Sequence, residues 1–290
     1  MIGPRLRMRL WGVDATQVSF TKLGIPPGPL QLPLEAAGRA FVTGYRAGLL
    51  AISPADVDLA GSTSGFASEG VAMAAAVRDM WSPRRSQFLT DVLLRHSRYT
   101  HTIVAGAGWG LALAPRTRWK VVLDQLPVDL RELAVDGLGF SDRYFQRRTQ
   151  RKLQAASVFA YQQGRGRAEW FHSGGDISRL PSPSPDVAAG VGLAYVYVGD
   201  NDENRARELK FWAGPYLRDL QQGACWAATA HLSAGTMQSR SEKSLSRLTG
   251  ATPEETALLV SVAAQGLRPA HDGTPSYEVW RQRVIERLGA

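Results

Sequence analysis

Three observations predict a mainly α-helical protein, built from two pseudo-symmetric helical repeats fused behind a short extended N-terminal arm. The first is that the chain matches itself. A shift of 120 positions lays Gly44 on Gly164, Ser53 on Ser173, Asp56 on Asp176, Gly70 on Gly190, Val71 on Val191 and Ala74 on Ala194. A shift of 117 then lays Tyr99 on Tyr216, Gly106 on Gly223, Ala107 on Ala224 and Trp109 on Trp226. An internal repeat outranks any single motif as a guide to architecture. It divides the chain into an arm at 1–30, a first unit at 31–150 and a second at 151–290. The second observation is the pair of Gly- and Ala-rich apolar runs at 102–114 and 187–199, each about 13 residues, too short to span a bilayer and suited to a buried element. The third is a set of helix-start signals: Ser53-Pro54, Ser82-Pro83, Thr274-Pro275 and the capping box Thr252-Pro253-Glu254-Glu255.

In chain order, Leu6-Arg7-Met8-Arg9-Leu10-Trp11 alternates as an extended segment does, and Ile25-Pro26-Pro27-Gly28-Pro29 closes the arm with a rigid turn. A helix is expected from Leu34 to Leu50, a loop at 61–65, and an Ala-rich helix from Ala67 to Met80. The next helix has its apolar face at Phe88, Leu89, Val92 and Leu93. In the helix through Ile103 to Leu113, small residues at Ala105, Gly106, Gly108 and Gly110 invite close approach by another backbone. Trp119 to Leu133 is amphipathic, and Asp136-Gly137-Leu138-Gly139-Phe140 reads as a turn. Pro181-Ser182-Pro183-Ser184-Pro185 is a stiff connector. Tyr195-Val196-Tyr197-Val198 has strand propensity, but its counterpart Ala75-Ala76-Val77 is helical, and the helix is preferred. Helical sequence resumes after Asp200, breaks at Gly214-Pro215 and continues through Trp226. Residues 235–250, rich in Ser and Arg, read as a mobile insertion. The last helix buries Tyr277, Trp280, Val284 and Leu288 at helical spacing.

At 290 residues the chain can bury a sizeable core, and its 44% hydrophobic and 21% charged residues are ordinary for a globular protein. The net charge of +8 admits an anionic partner. However, the densest basic run, 147–152, has no interleaved aromatics and reads as a solvated face, so nucleic acid is not expected. A single cysteine, Cys225, fits a reducing compartment. With no secretory leader pattern and no membrane span, a cytoplasmic protein is expected. Phosphate-loop, His-Glu-x-x-His, Gly-x-Ser-x-Gly and dinucleotide signatures are missing, so neither a cofactor nor a metal is expected.

Five motifs in one order carry a resemblance: Glu69-Gly70-Val71-Ala72, Gly106-Ala107-Gly108-Trp109, Asp136-Gly137-Leu138-Gly139-Phe140, Gly164-Arg165-Gly166-Arg167-Ala168-Glu169-Trp170-Phe171 and Gly190-Val191-Gly192-Leu193-Ala194. Together with Ser19-Phe20-Thr21 they resemble a bacterial domain-of-unknown-function family, number 1702. The resemblance implies an accessory protein of natural-product gene clusters, notably those making enediyne polyketides, acting in polyene maturation or in support of the polyketide machinery. It supplies no catalytic residues. The chain departs from the pattern at Ser141-Asp142, where a His-Glu pair is usual, and at Glu169, where an apolar residue is usual.

Candidate site residues come from positions where one copy gains a polar group. Glu69 stands opposite Ala189. A carboxylate in a buried Ala-rich helix has a raised pKa and suits general acid or base work, whereas near a helix start it would simply be favoured by the macrodipole. Arg167, Glu169 and His172 replace Ala47, Leu49 and Ile52, either as an anion- or carbonyl-binding group or as a surface ion pair. His101 is a proton relay or a core histidine. Trp109, Trp226, Trp170, Phe171 and Tyr195, with Tyr197, supply aromatic surface for a polyene or for core packing. Asp200 and Asp202 offer a weaker alternative, the magnesium-diphosphate cluster of an isoprenoid cyclase, or simply an acidic helix start. The expected ligand is an apolar polyene-like molecule held between the repeats and cyclised or isomerised without a cofactor. The alternative is a non-catalytic partner that docks on a polyketide synthase or carrier protein.

Overall fold

The computed structural model describes residues 14–59, 61, 63–82, 86–146, 157–267 and 274–289. Among them there is no strand. The helices are α1 (Phe20–Leu23), α2 (Gln31–Leu50), α3 (Ser64–Trp81), α4 (Phe88–Arg95), α5 (Thr100–Leu111), α6 (Trp119–Leu123), α7 (Arg131–Tyr144), α8 (Val158–Ser173), α9 (Pro185–Val198), α10 (Glu203–Ala213), α11 (Leu217–Ala234), α12 (Ser239–Thr249), α13 (Pro253–Ala264) and α14 (Ser276–Arg287). Packing follows the chain: α2 lies on α3, α3 on α5, α5 on α7, α7 on α8, α8 on α9, α9 on α11, and α11 on α13. One hydrophobic cluster runs from Phe20 to Val284.

The two apolar runs become α5 and α9. Residues 102–111 of α5 and 188–198 of α9 are buried all round, as expected for a helix without a polar face. Tyr195 to Val198 is therefore helical despite its strand propensity, because the surrounding helices bury every face of the segment. Ser184 caps α9 with Pro185 at the first position, and Thr252 and Glu255 form the capping box of α13.

Three expectations are corrected. Asp136 to Phe140 is not a turn but the middle of α7. Its glycines serve close packing: a Cβ on Gly137 would collide with the carbonyl of Ala105 in α5, and one on Gly139 with that of Tyr161 in α8. Residues 239–249 are not a loose insertion but helix α12, which buries Ser241, Ser244, Leu245 and Leu248 on one face. The Ser244 hydroxyl accepts from Asp200 N at 2.8 Å. The described part of the arm is likewise not extended: Ala15–Gln17 is a 3-10 turn and α1 is one helical turn, whose Phe20 N–H donates to Glu35 Oε1 at 2.8 Å. The alternating stretch at 6–11 and the basic run at 147–152 lie outside the described residues.

Candidate functional site

A cavity of about 630 Å³ opens between α2, α3, α5 and α7 on one side and α8 and α9 on the other. Its wall is aromatic: Phe41, Tyr45, Phe66, Trp109, Phe140, Tyr144 and Phe171 all line it. The Trp109 ring sits between Phe41 at 4.3 Å and Phe140 at 4.5 Å, centroid to centroid. Leu23 and Phe145, both partly exposed, also belong to the lining. Ligand sites are typically of this kind, mostly apolar with a few polar groups that fix orientation.

The charged groups of the lining are Glu69 and Arg167. The guanidinium of Arg167 lies 4.9 Å from the Phe140 ring centre. Its Nη1 is 3.5 Å from Glu69 Oε1, and its Nη2 is 2.5 Å from Asp136 Oδ1. Asp136 also accepts from Gln163 Nε2 at 2.9 Å, and Gln163 Nε2 is 2.9 Å from Tyr277 Oη. Two buried carboxyls thus compete for one guanidinium, and the more distant one is the easier to protonate. Burial pushes the Glu69 carboxyl up to about 7; Arg167 opposes the shift and the negative Asp136 adds to it. Burial also raises Asp136 against the pull of Arg167. Arg167 itself loses solvation, but Asp136 and Glu69 outweigh that loss and its pKa rises.

Glycines on neighbouring helices set this geometry. A Cβ on Gly106 of α5 would strike the backbone of Glu69, and one on Gly164 of α8 the carbonyl of Asp136. One on Gly190 of α9 would stand 2.7 Å from Arg167 N. The three charged side chains therefore leave backbones that touch the adjacent helix directly, which holds them close enough to share charge. Replacing Arg167 with Met would leave both carboxyls buried without a counter-charge. We expect a loss of about 3–5 kcal/mol at pH 7, read from urea unfolding, and a smaller loss as the pH is lowered, because both carboxyls are shifted upward by burial and protonation removes the unpaired charge.

Of the residues singled out in the sequence, Glu69, Arg167, Trp109 and Phe171 meet at this cavity. Glu169 and His172 do not join them. Glu169 takes two bonds from Arg143, at 2.6 and 2.9 Å, and His172 Nε2 lies 3.1 Å from the Tyr144 carbonyl. Trp170 and Tyr195 are fully buried and pack edge to face at 5.6 Å, outside the lining. His101 and Trp226 stand together at 4.9 Å in a second chamber lined by α5, α11, α13 and α14. Asp200 is bound by Arg205 at 2.5 Å, and Asp202 caps α10; neither lines either of the two chambers. Among the described residues no group of three or more His, Cys, Asp or Glu is arranged to hold a metal.

Sequence reasoning missed Asp136, because the neighbouring glycines suggested a turn, and Gln163, for which neither spacing nor motif gave a signal. Phe140 was hidden in the same supposed turn. Tyr197 was grouped only with the aromatics. Its hydroxyl is buried without a partner among the described residues, as are Tyr45 Oη and Trp109 Nε1, and all three residues line the cavity. Chemically, the arrangement offers an apolar slot and, in its wall, a carboxyl poised between its two protonation states at neutral pH. Such a carboxyl can give a proton to one carbon or oxygen and take one from another.

No helix among the described residues is long and apolar enough to cross a membrane. No curated protein and no solved structure matches the chain. A family model described as protein of unknown function, DUF1702, matches residues 3–288, nearly the whole chain, and the protein therefore belongs to that family.

Proposed function

We propose that the protein binds an apolar polyene-type chain in the aromatic cavity and promotes its isomerisation or cyclisation by proton transfer through Glu69, as an accessory protein of enediyne-like polyketide or related natural-product biosynthesis. The observation that carries this reading is a carboxyl with a pKa near 7 in the wall of a cavity otherwise lined largely by apolar and aromatic side chains. A proton given at one end of a conjugated system and taken at another conserves electrons, so the step needs no redox partner. Arg167 suits a carbonyl or enolate oxygen on the same chain, because a fixed cation stabilises charge that develops there.

The doubling of the chain belongs to this reading. Gly106 packs on Glu69 as Gly223 packs on Ala189, and these are corresponding positions in the two copies. The cavity takes its walls from residues on both sides of position 150. One copy keeps the small residue and the other supplies the acid.

The test is the mass of apolar molecules extracted from protein purified from its native host. An unsaturated molecule in near-stoichiometric amount is expected with wild type and with Glu69→Gln, and turnover of it only with wild type. Clean protein that also binds no linear polyene would remove the reading. A second reading, docking on a polyketide synthase or acidic carrier protein, draws on the net charge of +8 and on Phe211, which is 90% exposed beside Trp212 and Arg207 in a shallow groove. That reading expects no copurifying molecule and salt-sensitive binding to the carrier.

A further inference from the structure

The Glu69 cavity has an apolar end and a polar end. Leu23 and Phe145, 39% and 47% exposed, belong to its outer rim. Glu69 and Arg167 lie at the inner end: together with Leu193 and Tyr197 they also border a void of about 20 Å³, whose further walls, Ala105, Leu133 and Ala227 among them, are buried. Glu69 is nonetheless not sealed off. Its side chain keeps 9% of its surface exposed. Oε1 turns to Arg167 at 3.5 Å, while Oε2 takes no hydrogen bond among the described residues and is left accessible.

The charge at this inner end sums to zero below neutral pH. Arg167 Nη2 and Asp136 Oδ1, 2.5 Å apart, cancel each other. The other titratable groups around Glu69 are uncharged. Burial raises the phenols of Tyr45 on α2, Tyr144 on α7, Tyr197 on α9 and Tyr277 on α14, and lowers His101 on α5 to about 4. Glu69 itself, raised to about 7 by burial, keeps its proton below that pH and then presents a hydrogen-bond donor. A ligand carboxylate placed here would lose its hydration and meet a guanidinium that already has a partner, which leaves one buried charge uncompensated. A carbonyl oxygen brings no charge and accepts the Glu69 proton in a hydrogen bond.

We propose, resting on the polyene reading above, that the chain held in this cavity ends in an uncharged carbonyl, that of a ketone, aldehyde or ester, which enters first and accepts a hydrogen bond from Glu69, and that a chain ending in a carboxylate is rejected. Two separate features make this choice. The proton on Glu69 accepts the carbonyl, and the closed Arg167–Asp136 pair refuses the anion.

Parinaric acid and its methyl ester, two fluorescent conjugated chains that differ in charge at one end, test this by titration onto the intact protein. In wild type at pH 6.5 the ester is expected to bind at least about tenfold more tightly, because the acid must first take up a proton. Ester binding is expected to weaken about tenfold from pH 6.5 to pH 8.5, as Glu69 ionises. Glu69→Gln, whose amide still donates, is expected to bind the ester equally at both pH values and to keep the preference over the acid. Glu69→Gln combined with Asp136→Asn leaves Arg167 without a counter-charge, and the acid is then expected to bind at least as tightly as the ester. If that double variant does not fold, as circular dichroism reports, wild type and Glu69→Gln still decide. Equal affinity for acid and ester in wild type, a pH dependence that survives Glu69→Gln, or an ester preference that survives in the folded double variant would each overturn the proposal while leaving the polyene reading in place. Failure of both probes to bind would remove the two together.

Discussion

Glu69→Gln is expected to stabilise the protein above neutral pH and to leave its stability nearly unchanged at pH 4. A carboxyl with an ordinary value of 4.5 that rises to about 7 on folding binds its proton more tightly in the native state. Below pH 4.5 both states are protonated and the group costs nothing. Between 4.5 and 7 the unfolded chain releases the proton while the folded chain keeps it, so stability falls as pH rises. Above 7 the loss is complete, at about 3 kcal/mol for a shift of this size. Glutamine resembles the protonated acid and escapes the penalty. Thermal or urea unfolding of the two proteins from pH 4 to pH 8 measures the difference. Should Glu69→Gln be the less stable protein at pH 8, the carboxyl is ionised and firmly paired with Arg167, and the acid-base role goes with it.

Gly106→Ala is expected to cost at least about 3 kcal/mol, although alanine is the better helix former by ~1 kcal/mol. An added Cβ would stand 2.6 Å from Glu69 Cα and closer still to its carbonyl oxygen, so α3 and α5 would have to part. The partner atoms are backbone and cannot rotate away. Water entering the gap would also lower the Glu69 titration midpoint, which carboxyl-labelled NMR reads directly. Gly38→Ala is the comparison: its Cβ meets only the Val18 side chain, which can move, and a loss under about 1 kcal/mol is expected. Equal losses at the two sites would show that backbone contact is not what fixes the spacing.

Local signals carried much of the helical reading. Thr252-Pro253-Glu254-Glu255 starts a helix through its own cap, and Phe88, Leu89, Val92 and Leu93 declare a buried face by spacing alone, whereas Ser184-Pro185, read as the end of a connector, is in fact the cap of α9. Glu69 was legible for a related reason, since a carboxylate set in an alanine run is conspicuous. The failures share a different cause. Glycine in Gly137-Leu138-Gly139 means either a turn or a tight helix contact, and only the presence of Ala105 and Tyr161 across the gap decides which. The Ser- and Arg-rich stretch at 239–249 looked unstructured because the polar residues outnumber Leu245 and Leu248, yet those two leucines find a core to join.

By itself, then, the order of residues determined most of the segments that form helices, where several of them begin, and that one of them carries an acid in an alanine run. It did not determine that Asp136, 67 positions further on, would share Arg167 with Glu69, or that Trp109 and Trp226 would end in different chambers. Those outcomes depend on how far apart neighbouring helix axes settle. That distance is set by glycine against backbone across the gap, and the strength of a buried charge interaction follows from it.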